Sequence, residues 1–154
     1  MISLLMATAL ATSAWVAPLA PPMTVERPFS APTAPWAAGH RGVDLTAPQG
    51  TAVRSAGSGR VVFAGRLAGR FVISIEHSTP VPLLGTGWRT TYEGVRPAVV
   101  IGDGVVAGQV IGVLDSRGGH CACLHWGLRR GSTYADPMLL LSRPIVLKPR
   151  GPGT

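Results

Sequence analysis

Two short stretches hold most of the residues able to do chemistry. In "GHRGVDL", His40 and Asp44 stand four apart with Gly42 between them. An imidazole and a carboxylate are both competent ligands for Zn2+. In "HCACLHWGLRRG", Cys121, Cys123 and His125 alternate. Residues i and i+2 of an extended strand share a face, so these three point one way while Leu124 and Trp126 point into the layer behind. Either stretch alone is weak evidence for a metal, because a histidine near an aspartate is common on protein surfaces.

The cysteines admit several states. Two cysteines in a short exported chain suggest a disulfide. A straight strand separates the Cα atoms of residues two apart by about 6.6–6.8 Å, the upper edge of what a disulfide spans. A Cys121–Cys123 bridge therefore needs a bent backbone. The alternatives are free thiols, pairing with another chain, or Cys123 as a fourth metal ligand that closes the site and makes it structural.

The elements that must position these groups are short. β-type runs alternate with glycine turns: "TAVRSAG", "GRVVFAG", "RFVISIEHS", "WRTTYEGV", two short strands within "AVVIGDGVVAGQVIGVL", and "CLHWGLRR" as the last strand. "DPMLLL" suggests a short helix, with Asp136 as its cap and Pro137 in its first turn. Many short strands at close spacing imply a sandwich or barrel. The absence of helical patterns between them argues against a parallel doubly wound sheet. Gly (20) and Pro (14) are frequent in the 154 residues, and charged residues make up only 14%. That composition fits a turn-rich β protein of one domain.

The ends differ from the middle. Residues 1–20, "MISLLMATALATSAWVAPLA", resemble a secretory signal peptide, an apolar run followed by small residues, although no Lys or Arg precedes the run. Ala14 offers a cleavage position, whereas Ala17 and Ala20 are each followed by proline. Export to the envelope or the extracellular space is the expectation, with membrane attachment only through an uncleaved N-terminal segment. Residues 21–37 are proline-rich and expected as a linker, residues 38–142 as the β domain, and residues 143–154 as an irregular tail. The formal charge is +7, carried by scattered arginines plus Lys148. No basic block is interleaved with aromatics, which argues against nucleic acid as partner. A diffuse positive surface suits solubility or an anionic neighbour such as a cell-wall polymer.

The runs "GHRGVDL", "GRVVFAG", "TTYEGV", "VVAGQVIGVL" and "CLHWGLRRG…DP" follow one another in order. Taken together they resemble the lysostaphin-type family of zinc metallopeptidases that cut peptidoglycan cross-links, over about residues 38–141. The resemblance implies an all-β fold, the duplicated hybrid motif, with an antiparallel sandwich- or barrel-like core and a metal groove. It implies Zn2+ as cofactor, with His40, Asp44 and His125 as ligands, and peptidoglycan as partner. The family also uses two assisting histidines, in Tyr-x-His and in the first position of His-x-His. Here those positions are Gly94 and Cys123.

What survives of the chemistry follows from that split. Three protein ligands plus an open position let zinc lower the pKa of bound water to about 7 and polarise a carbonyl. Each lost proton-transfer or oxyanion group is worth about 10²–10⁴ in rate. Substitutes are Glu93, which alternation points away from the face shared by Tyr92 and Gly94, and His120 in the loop before the last strand. His77 is expected to be structural and Trp126 to pack behind the metal strand. Trp88 and Arg89 either border the groove or pack, and Tyr92 is a groove or a core residue. The expected function is an exported zinc metalloendopeptidase of reduced activity; the alternative is an inactive wall-binding or regulatory domain. A biotin- or lipoyl-carrier barrel is set aside, because the sole lysine, Lys148, lies in the tail.

Overall fold

A computed structural model describes residues 14–117 and 121–142. His120, Lys148 and most of the signal-like segment lie outside the described residues. The strands are β1 (Thr24–Arg27), β2 (Val43–Thr46), β3 (Ala52–Arg54), β4 (Gly59–Leu67), β5 (Arg70–Glu76), β6 (Arg89–Glu93), β7 (Val95–Pro97), β8 (Gly104–Val105), β9 (Val110–Leu114), β10 (Cys123–Arg130) and β11 (Thr133–Ala135). A 3-10 helix, Pro137–Leu141, follows, and the Asp136 carboxylate accepts the Met138 N–H as its cap. The fold is all-β and antiparallel, as expected. The larger sheet runs β1-β2-β10-β6-β5-β4-β8, with β11 continuing along β10, and the smaller runs β3-β9-β7. Among the described residues no helix is long and apolar enough to cross a membrane.

One core takes side chains from both sheets. Leu124, Trp126 and Leu128 of β10 are fully buried, as are Ile73 and Ile75 of β5 and Tyr92 of β6. Ile111, Leu114 and Val53 come from the smaller sheet. Alternation then sends His125, Gly127 and Arg129 of β10, and Thr91 and Glu93 of β6, to the opposite face. Cross-strand register makes that face a continuous floor: Asp44 pairs with His125, His125 with Glu93, and Gly127 with Thr91.

The structure corrects three expectations. "CLHWGLRR" is not the last strand, because β11 follows and pairs with Leu128–Arg130. The 98–114 region does hold the two short strands expected of it, β8 and β9, after a turn in which Asp103 accepts the Val100 N–H at 3.0 Å. The proline-rich stretch supplies β1, paired along β2. All four residues of β1 are exposed, so it joins the sheet by backbone bonds and leaves no apolar period to read. The third correction concerns residues 15–20. Trp15 and Leu19 are buried in the core, Val16 N–H donates to Ala56 O and Arg54 N–H donates to Pro18 O, both at 2.8 Å. Trp15 packs edge-on against His77 with ring centroids 4.9 Å apart, over Gly57, where any Cβ would run into the indole. Trp15 and Leu19 thus belong to the folded body, and a leader reaching residue 20 would take two core side chains with it.

Candidate metal centre

His40 precedes β2 in a short bridge, exchanging backbone hydrogen bonds of 2.8 and 3.0 Å with Ser30. Its Nδ1 lies 2.8 Å from the carbonyl oxygen of Pro28. A carbonyl only accepts, so Nδ1 carries a proton, while Nε2 faces Asp44. His40 Nε2 is 3.2 Å from Asp44 Oδ2, and His125 Nδ1 is 2.7 Å from Asp44 Oδ1. The two imidazoles meet edge to face at 5.0 Å. Ligand atoms of His40, Asp44 and His125 all lie within 4.8 Å of one another. His40 and Asp44 are buried and His125 is 14% exposed at its side chain, so solvent reaches the cluster from the His125 side.

Gly42 makes this possible. A Cβ at 42 would stand 2.8 Å from His125 Nε2 and 2.9 Å from Cε1, in the space the ring occupies. The glycine between His40 and Asp44 is therefore part of the site, a role the spacing alone does not reveal. Pro28 is the other supporting group the sequence hides, since it acts through its backbone carbonyl from a segment expected to be a linker.

The donor set fits a divalent metal. Two imidazoles and a carboxylate converge, a backbone acceptor orients the His40 ring, and His125 borders the groove, so these three residues would hold the ion there. A second group, Asp44 with Cys121 and Cys123, also brings donor atoms within 4.8 Å. There the sulfurs are joined in a disulfide, with Cα atoms 5.2 Å apart. In that state Cys123 has no thiolate to close the coordination shell. Cys121 lies outside β10 and the chain bends before the strand, which brings the pair closer than a straight strand allows.

Residues 38–137 match the family model described as Peptidase family M23. The chain belongs to that family. Uncharacterised proteins of Mycobacterium bovis and Mycobacterium tuberculosis are 47% identical over 140 residues, covering 86% of this chain. The chain spans about half, 53%, of the length of those relatives. An uncharacterised Escherichia coli lipoprotein, YgeR, is 32% identical over 115 residues, covering 73% of this chain and 43% of its own. Among solved structures, the catalytic domain of the antimicrobial peptidase lysostaphin from Staphylococcus simulans superposes with a TM-score of 0.64 at 27% identity. That match covers 78% of this chain and 93% of the lysostaphin domain. The SpoIIQ–SpoIIIAH pore-forming complex gives 0.65 at 21% identity, over 87% and 95% of the two chains, a likeness of fold alone.

Within this M23 domain the remaining expected residues fall on two sides. Tyr92 is core: its hydroxyl accepts the Ala56 N–H at 2.8 Å and lies 2.9 Å from Thr90 Oγ1. Burial pushes its pKa up, partly offset by those hydrogen bonds. Trp126 is fully buried behind the metal strand. Trp88 is buried too, its indole N–H donating to Leu84 O, so it packs rather than lines the groove. Arg89 is exposed and faces Glu76 at 4.0 Å. His77 is structural: Nδ1 is 2.9 Å from Ser58 O and Nε2 is 2.7 Å from Thr90 Oγ1.

Glu93 needs a correction in its consequence. It does point away from Tyr92, but Tyr92 points into the core, so Glu93 stands on the metal face and no bulge is needed. It sits opposite His125 in the β6–β10 register, and its carboxylate is 3.2 Å from Arg70 Nε. Glu93 and His125 line one cavity of about 330 Å³ together with Arg41, Arg70, Arg129 and Tyr134. Gly94 follows with φ +83° and offers no side chain to that cavity. The arginines and Tyr134 were not singled out from the sequence, since charges scattered over β5, β10 and the β1–β2 connection converge only in space.

Proposed function

We propose that the chain is an exported zinc metalloendopeptidase-like protein that acts on peptidoglycan peptide cross-links, with Zn2+ held by His40, Asp44 and His125. The observation that carries this reading is the row Asp44–His125–Glu93 across three adjacent strands, open to a groove at one end. Zinc so held would polarise a peptide carbonyl and activate a water. Glu93 is the groove carboxylate next to the ligands and serves as the proton acceptor that the family's histidines supply elsewhere. Arg70 holds its carboxylate in the groove. Tyr92 and Trp126 stiffen the two strands from behind. The lipoprotein designation of the YgeR relative, the signal-like N-terminus and the disulfide support an envelope location.

The test is incubation of purified, zinc-loaded protein with peptidoglycan, with products read as muropeptides by mass spectrometry. Cross-link cleavage is expected from the wild type, none from His125→Ala, and a rate lower by about 10²–10⁴ from Glu93→Gln. Absence of products across pH and metal conditions sinks the enzyme reading; full activity of Glu93→Gln removes Glu93 from it. A second reading, an inactive wall-binding or regulatory domain, is favoured by two observations: Gly94 carries no side chain and Cys123 is tied in a disulfide. Its signature is retention on peptidoglycan without turnover.

A further inference from the structure

The groove beside His125 carries an uneven charge. Arg41, Arg70 and Arg129 line it against a single carboxylate, Glu93, and Arg70 is the one paired with that carboxylate. Among the described residues, Arg41 and Arg129 form no ion pair. Both are nevertheless held in place. Arg41 donates Nη2 to Pro35 O at 2.8 Å, and Arg129 donates Nε to Gly131 O at 3.2 Å. Their guanidinium carbons stand 5.7 and 5.8 Å from the centre of the same Tyr134 ring. Backbone carbonyls and an aromatic ring thus fix two planar forks without neutralising either. Both arginines and Tyr134 also line a second cavity of about 600 Å³, bounded by the 31–35 segment, so the cleft runs on from His125 past the pair.

We propose that Arg41 and Arg129, braced on Tyr134, form a carboxylate-binding subsite that selects an anionic peptide for the groove. A guanidinium offers parallel N–H groups that match a carboxylate, and a preorganised fork loses little entropy on binding. A concave cationic cleft also concentrates anionic ligands. Peptidoglycan stem peptides carry free carboxyl groups that amidation converts to neutral amides, so the subsite reads that difference. The inference rests on the peptide-groove reading proposed above, and it is tested without turnover.

The probes are two synthetic, uncross-linked stem tetrapeptides identical except for one free carboxyl against its carboxamide, with each carboxyl position amidated in turn. Calorimetric binding to the zinc-loaded full chain is expected to favour the acid form by about tenfold or more at one position, as for a charged hydrogen bond. Arg129→Gln and Arg41→Gln each lose that preference, while Tyr134→Phe keeps most of it; thermal melts confirm that the variants fold. Equal binding of acid and amide at every position, no binding of either, or a preference that survives both arginine substitutions overturns the subsite. Cross-link cleavage with no acid preference leaves the peptidase standing and removes the subsite. Acid preference without cleavage leaves the subsite in a binding domain.

Discussion

The two faces of the β6–β10 pair each carry a histidine network, and they are built alike up to one atom. On the core side, His77 Nδ1 meets the Ser58 carbonyl at 2.9 Å; on the groove side, His40 Nδ1 meets the Pro28 carbonyl at 2.8 Å. In each ring Nδ1 thereby carries a proton. The difference is what Nε2 faces. His77 Nε2 meets Thr90 Oγ1, and Thr90 meets the Tyr92 hydroxyl, which takes the Ala56 N–H. A proton assignment closes that chain: Thr90 donates to His77, Tyr92 to Thr90, and Ala56 to Tyr92. His40 Nε2 instead faces Asp44, which also faces His125. A hydroxyl partner completes a core; a carboxylate shared by two imidazoles brings three ligand-type groups within 4.8 Å of one another. The lesson is that the second nitrogen's partner, not burial, separates a structural histidine from a candidate metal ligand.

The sharpest way to break that comparison is to exchange damage between the faces. His125→Ala is expected to lower zinc affinity by more than about 100-fold, beyond what loss of a merely supporting group costs. Its metal-free melting point should move little, because His125 is half-buried at the groove. His77→Ala is expected to do the reverse. Zinc stoichiometry, read by elemental analysis, stays near one per chain, while stability falls by about 2–3 kcal/mol as Ser58 O and Thr90 Oγ1 lose their partner. Zinc loss from His77→Ala with its fold intact would dissolve the distinction.

Acid probes the same pair more gently. Burial lowers the His77 pKa from its ordinary 6.5, with the Ser58 hydrogen bond opposing the shift. The unfolded chain therefore takes up a proton at this residue before the folded one does. Stability from His77 is fully present above about pH 6.5 and is lost as pH falls toward the folded value, by at most about 1.4 kcal/mol per pH unit. Urea unfolding of metal-free protein from pH 8 to 5 measures this. The gap between wild type and His77→Gln should be constant above pH 7 and narrow below 6.5. A gap that widens in acid would mean that His77 is protonated in the fold.

How far these faces were legible follows the same division. Strands with β-branched runs, such as β4 and β5, announce themselves, and the order of glycine-bounded motifs carried the family and the all-β fold. His40, Asp44 and His125 were named through the order of those motifs, since neither short spacing alone points to a metal, and the structure brings their ligand atoms within 4.8 Å of one another. Glu93 was named, but its face could not be decided, because alternation says only that it opposes Tyr92. Which of the two points inward depends on the register with β5 and β10. Arg41, Arg129 and Tyr134 were invisible as a set, since nothing local links them. Trp15 was hidden by its setting: it follows directly on the small residues of a signal-like N-terminus, and only Gly57, seen in the fold, shows where its indole is admitted.

Gly94 gives the smallest expected effect and bears on how the groove face was remade. It joins β6 to β7 with φ +83°, its N–H donating to Phe71 O at 2.9 Å and its carbonyl accepting the Asp115 N–H at 2.7 Å. Both backbone groups are committed, so the residue cannot relax to negative φ without breaking a bond. A Cβ there would sit 3.2 Å from Cys123 O and from Ser116 Cβ. The left-handed conformation costs a non-glycine residue about 1–2 kcal/mol. Gly94→Ala is therefore expected to lower the unfolding free energy by about that amount, measured by urea titration, with zinc content unchanged. Gly94→His, which writes the family's residue back, meets the same strain with a larger side chain and should not raise activity. If Gly94→Ala proves neutral, the rim is pliable and a histidine could be accommodated. If it costs what the geometry implies, the backbone at this end of the groove has settled around glycine, and Glu93, opposite His125, is the neighbouring carboxylate on that face for the proton transfer proposed above.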